Sequence, residues 1–182
     1  MNRLTTLRAL FTRRLLPAAI TALALAAATL PSRAQAVDTF MKIDGLPGES
    51  TSRDHPGEID LTGWSQTFGT RQCSRAVAVK RVDRASPGLI ARAAANTLIP
   101  QVVVSMARSA GGGRSQDFFR ATLDLVTIER VEIAEQGDEL VERVVLAPRS
   151  IRLEYRPLAA DGSLGAPVAT AIACTPERER DR

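Results

Sequence analysis

The segment KIDGLPGESTSRDHPGEIDLTGWS, Lys42–Ser65, holds the only histidine of the chain, His55. Asp54, Glu58 and Asp60 flank it, and Asp44 and Glu49 lie just upstream. An imidazole among carboxylates is the inventory of a metal centre or of general acid–base catalysis. The spacing argues against both. Zinc sites gather closely spaced Cys and His ligands, and neither Cys73 nor Cys174 has a second Cys or His three residues away. Calcium loops need oxygen ligands at regular intervals, and DHPGEID does not supply them.

Nucleophilic chemistry is no better provided for. A serine nucleophile would need His55 as its base, and the chain carries no G-x-S-x-G elbow. Gly111–Arg114, GGGR, lacks the lysine and hydroxyl residue of a phosphate-binding loop and joins two strand-like segments, so it reads as a hairpin tip. These residues point to a protein that is not an enzyme, with no metal and no cofactor. His55 is then a residue of a loop between two strands.

The elements around that loop are mostly strands. Period-two alternation marks Thr39–Ile43, Gly57–Phe68, with Ile59 and Leu61 on one face, and Ser74–Val82, with Val77 and Val79 on one face between basic residues. One helix is predicted over Ala85–Asn96, with Ser86 as N-cap and Pro87 at its first turn. Leu89, Ile90, Ala93, Ala94 and Thr97 would form its apolar stripe. Strands resume at Gln101–Arg108 and Asp117–Ile133. In the latter the apolar phase runs through Phe119, Ala121, Leu123 and Leu125, switches at Val126 and Ile128, and returns at Val131, which predicts a bulge or bend within one long strand. Leu140–Pro157 is its partner, with Pro148 as a kink, and Val168–Thr175 is the last strand. About seven strands and one short helix make an all-β sandwich or barrel.

The first 36 residues stand apart. Arg3, Arg8, Arg13 and Arg14 precede the apolar run Leu15–Leu30, and A-Q-A at Ala34–Ala36 completes the order of a secretory signal cleaved after Ala36. The 16-residue run is short of the ~20 residues of a membrane-spanning helix, and an N-terminal anchor helix is the alternative. The paired arginines fit either the general secretory or the twin-arginine route. Cleavage takes five arginines (Arg33 included) from the 24 basic residues and none of the 20 acids, leaving 19 against 20. A nucleic-acid partner therefore loses its electrostatic support, and no membrane association is expected after cleavage. The remaining 146 residues suffice for one domain, 37–175, that buries roughly 68–70% of its unfolded surface, followed by a charged tail, 176–182. In an oxidising compartment Cys73 and Cys174 form one disulfide or stay as two buried thiols. Closing so long a loop is worth about 4–5 kcal/mol in the chain-entropy description.

In order, FMKIDGLPGES, a histidine, EIDLTGWS, VAVKRVDRASPGLIARAAANTLIPQVVV and LEYRP…DGS resemble the haemolysin-coregulated protein (Hcp) family of type VI secretion, from about Val37 to Thr175. The resemblance implies an Hcp-like β-barrel or sandwich with a side helix, and subunits that assemble as six-membered rings. Such rings stack into a tube whose lumen carries small secreted effector proteins. It also implies that Gly45, Gly48, Glu49, Ser50, His55, Glu58, Ile59, Trp64 and Ser65 belong to the first strand, an assembly loop and the second strand. Two features depart from the family: the export signal, and the short segment Gln66–Cys73 in place of a long Gly/Ser-rich loop.

Overall fold

The computed structural model of the chain describes residues 36–69, 72–111, 114–159 and 161–174. The leader up to residue 35 and the tail from residue 175 lie outside them. Nine strands and one helix are present: β1 (Val37–Ile43), β2 (Ile59–Leu61), β3 (Gly63–Gly69), β4 (Gln72–Arg81), α1 (Ser86–Ala94), β5 (Ile99–Gly111), β6 (Arg114–Gln136), β7 (Glu139–Ala147), β8 (Ser150–Tyr155) and β9 (Val168–Ala173). The expected seven become nine because two of them break. Gly57–Phe68 divides at Thr62, and the segment from Leu140 divides at Pro148 and Arg149. The architecture is all-β with a single short helix.

Two strands turn the corner from one sheet to the other. β6 pairs with β5 and β8 through its first half and with β7 through its second. The change occurs at Leu125, which has φ +50° and is exposed, while Leu123 and Val126 on either side are buried. An extra residue, Glu129, is accommodated between Ile128 and Arg130. The phase switch in the sequence is this corner. The second corner is Thr62. β2 before it pairs with β1 and β3 after it pairs with β4, and the Thr62 amide donates to the Val79 carbonyl at 2.8 Å. The two corners close the circuit β1–β5–β6–β7–β4–β3/β2 into a barrel, and β8 and β9 branch from β6 outside it.

Inside lie Met41, Ile59, Val102, Val104, Leu123, Ile128, Leu146 and Ile151, all at 1% exposure or less. Burial on this scale is worth about 1.5–3 kcal/mol for each large aliphatic side chain. In β4 the inward phase is Ala76, Ala78 and Lys80. Val77 and Val79 are half-buried and share the other face. The small alanines leave room that the long lysine fills.

α1 also differs from its expected stripe. Only Leu89 and Ser86 are fully buried, whereas Ile90 is 43% exposed and Ala94 and Thr97 face solvent. Ala85 occupies the N-cap place with no side-chain cap, and Ser86 lies within the first turn. Ser86 is used elsewhere, as shown below. Cys73, near the start of β4, is disulfide-bonded to Cys174, immediately after β9, with Cα atoms 5.0 Å apart across 101 residues of chain.

Candidate functional site

The β1–β2 connection, 44–58, is built as a compact flap. Gly45 turns the chain at φ +71°, and the Leu46 amide closes on the Ile43 carbonyl at 3.0 Å. The flap then pairs with itself: Gly48 N–H donates to Gly57 O at 2.8 Å, Ser50 N–H to Glu58 O at 3.0 Å and Gly57 N–H to Ser50 O at 2.9 Å. Ser50 is buried, and its hydroxyl accepts from the Ser52 amide.

Three side chains moor this flap to the barrel. His55 is 6% exposed and stacks on Phe40 of β1, the rings 4.2 Å apart and 12° from parallel. Its Nδ1 meets Glu58 Oε2 at 3.1 Å, and its Nε2 meets Asp117 Oδ1 of β6 at 2.9 Å. Asp117 is held in turn by Arg120 at 2.9 Å. Asp54 Oδ2 accepts from the Ser115 amide at 2.7 Å. Glu49 reaches the other side, where its Oε1 accepts from the Arg84 amide at 3.2 Å. Trp64 and Ser65 lie on β3 opposite Ala78 and Val77, and Trp64 packs against the core.

This geometry gives His55 a mechanical role. Both ring nitrogens are occupied by carboxylates and one ring face by Phe40, so the ring joins the flap to β1 and β6. Among the described residues, no three His, Cys, Asp or Glu side chains converge as metal ligands. A groove of about 390 Å³ runs beside the histidine, lined by Lys42, Glu58, Asp117 and Arg120 among others. Replacing His55 by alanine removes the stack and leaves Glu58 without its ring partner. The expected loss is about 2 kcal/mol in urea unfolding, with the 50–58 amides exchanging faster than the rest.

A second polar cluster was not legible as such in the sequence. Lys80, fully buried, donates to Asp83 Oδ1 at 2.7 Å, Glu142 Oε2 at 2.8 Å and Ser86 Oγ at 3.0 Å. All three ammonium protons are thus used. Ser86 Oγ donates to Glu142 Oε2 at 2.5 Å and accepts from the Asp83 amide at 3.1 Å. Glu142 is itself fully buried, and its Oε1 has no hydrogen-bond partner among the described residues. The cluster ties β4, β7 and the start of α1 together. Its sequence signal was the phase Ala76-Ala78-Lys80 facing Glu142-Val144-Leu146. Elsewhere, Asp161 in the β8–β9 loop is held below the usual carboxylate range by hydrogen bonds from the Ser163 hydroxyl and amide.

Residues 40–155 match the family model described as "Type VI secretion system effector, Hcp". The protein hcp1 of Pseudomonas aeruginosa is 29% identical over 150 residues, covering 73% of this chain and 92% of that protein. Among solved structures, Hcp1 from Salmonella typhimurium superposes with a TM-score of 0.67 at 25% identity, covering 76% of this chain and 94% of that one. A type VI secretion system effector from Yersinia pestis shares the fold at a TM-score of 0.62 and 20% identity, over 75% and 99% of the two chains. The family is a secreted structural component of type VI secretion rather than an enzyme family. A barrel closed at Thr62 and Leu125, a flap moored by His55 and a match spanning most of the described strands lead to one assignment: this chain belongs to the Hcp family of type VI secretion system effectors.

Proposed function

We propose that this chain is a non-enzymatic structural subunit, exported after cleavage at Ala36, that self-assembles through its strand edges into rings of six able to carry small secreted effector proteins. The observation that supports this reading is that, among the described residues, β3 and β9 each pair with one neighbour only. The outer sides of GWSQTFG and VATAIA are unlike one another, and a ring needs two different complementary surfaces on each subunit. The flap 44–58, rigidly held and offset from the barrel core, is the assembly loop in this reading. No helix among the described residues is long and apolar enough to cross a membrane.

The Cys73–Cys174 bond favours a second reading. A disulfide that secures the last strand suits a self-sufficient, exported monomer acting as a binding module outside any tube. Light scattering on the mature protein, residues 37–182, separates the two. A six-fold mass that persists on dilution is the expected result. A monomer at every concentration removes the ring and leaves the binding module.

A further inference from the structure

β9 is the strand that the fold buries least. Among the described residues it pairs with β8 alone, over six residues from Val168↔Tyr155 to Ala173↔Ser150. Five of its six side chains are exposed, Val168 at 68%, and none belongs to the buried core. The loop that leads into it is folded on itself: Leu158 bridges Leu164, Ala159 N–H donates to Ser163 O at 2.9 Å and Gly165 N–H to Pro157 O at 2.8 Å. β9 can therefore leave β8 without unravelling its own connection. What opposes this, besides the β8 ladder and the Cys174 N–H to Arg149 O bond at 2.8 Å, is the Cys174 side chain, part-buried just beyond the strand and bonded to Cys73 at the start of β4.

We infer that the Cys73–Cys174 disulfide is a redox latch on the edge of the sheet. Oxidised, it clamps β9 over β8. Reduced, it lets β9 detach and leaves the outer side of β8 (Ser150–Tyr155) unpaired. The reductant is a dithiol. One of its thiolates attacks the Cys174 sulfur, the more exposed of the pair. The protein S–S bond breaks as a mixed disulfide forms, and Cys73 leaves as a thiolate that takes a proton from water. The second reductant thiolate then attacks its partner sulfur and releases Cys174. Two electrons and two protons have passed to the protein, and the reductant is a disulfide. The consequence for assembly rests on the ring reading, because the latch decides whether one of the two edges is present. The latch itself does not, since β9 can be followed in a protein of any native mass.

Hydrogen exchange of the mature protein, oxidised and after a dithiol with the two free thiols confirmed by alkylation and mass, tests this. Residues 168–173 and the half of the β8 amides that face them are expected to exchange at least tenfold faster on reduction. At the same labelling times β5 stays protected. The Cys73→Ser/Cys174→Ser protein should behave like the reduced one; if it does not fold, the reduced natural protein carries the test alone. Unchanged protection of 168–173 in fully reduced protein overturns the latch. So does a reduced protein in which β9 and β5 open together, because the bond would then support the whole barrel and not its edge.

Discussion

Replacing Lys80 by methionine is expected to destabilise the protein by about 3–5 kcal/mol in urea unfolding, the largest effect of any single polar substitution in the barrel. Methionine has nearly the length of lysine and would fill the same space, so packing is not what is lost. The ammonium donates to Asp83, Ser86 and Glu142 at 2.7–3.0 Å, and both Lys80 and Glu142 are fully buried. Without it Glu142 is a carboxylate in the interior with one oxygen already unpartnered and the other held by Ser86 alone. An uncompensated charge costs far more than an ion pair contributes. The double change Lys80→Met with Glu142→Leu should therefore recover much of the loss, an interaction well outside additivity. The neighbouring Arg81 is the control. Its guanidinium meets Glu139 at 2.9 Å on the surface, and Arg81→Ala should leave the urea midpoint where it is. Equal loss in the single and double variants would show that the stranded Glu142 carboxylate is not the cause, and a Lys80→Met protein as stable as the natural one would show that Lys80 acts only through its bulk.

Sequence patterning reached some parts of this fold and missed others for identifiable reasons. The corner at Leu125 was visible because a phase switch forces one residue out of register, whatever the strand pairs with. The break at Pro148 was visible because proline cannot donate to a ladder. The alternation of β4 separates its two faces without showing which is inward, because the inward Ala76 and Ala78 are smaller than Val77 and Val79 and the next inward residue is Lys80. α1 was given too wide an apolar stripe, because a helix capping a barrel needs only Leu89 and part of Ala93 inside. The two polar clusters share one obstacle. His55–Asp117 and Lys80–Glu142 each join residues 62 apart in sequence. Such pairs depend on strand register, which no local pattern contains. The family resemblance places these residues in a loop between the first two strands, and the ring contacts of His55 show how that loop is moored.

That flap carries the second large expected effect. Gly48→Ala should cost about 3 kcal/mol, more than an exposed loop position ordinarily can. The glycine lies against the far side of its own flap. A Cβ there would stand 2.5 Å from Ile59 Cα and 2.7 Å from the Glu58 carbonyl carbon, well inside van der Waals contact. These are backbone atoms, so no rotamer change relieves the overlap. The strands of the flap must separate, which breaks Gly48 N–H to Gly57 O and Ser50 N–H to Glu58 O and shifts Ile59, a residue with no exposed surface. Gly88→Ala offers a graded comparison. Its Cβ would meet the Leu46 side chain, which can turn away, and the cost should be smaller. Gly69→Ala, with nothing within 4 Å, should be close to neutral. If the flap is the assembly loop, Gly48→Ala should also lower the native mass at protein concentrations where the Gly69→Ala protein keeps it. A Gly48→Ala protein as stable as the natural one would mean that the 48–58 contact is looser than these distances, and that the flap is free to move against β2.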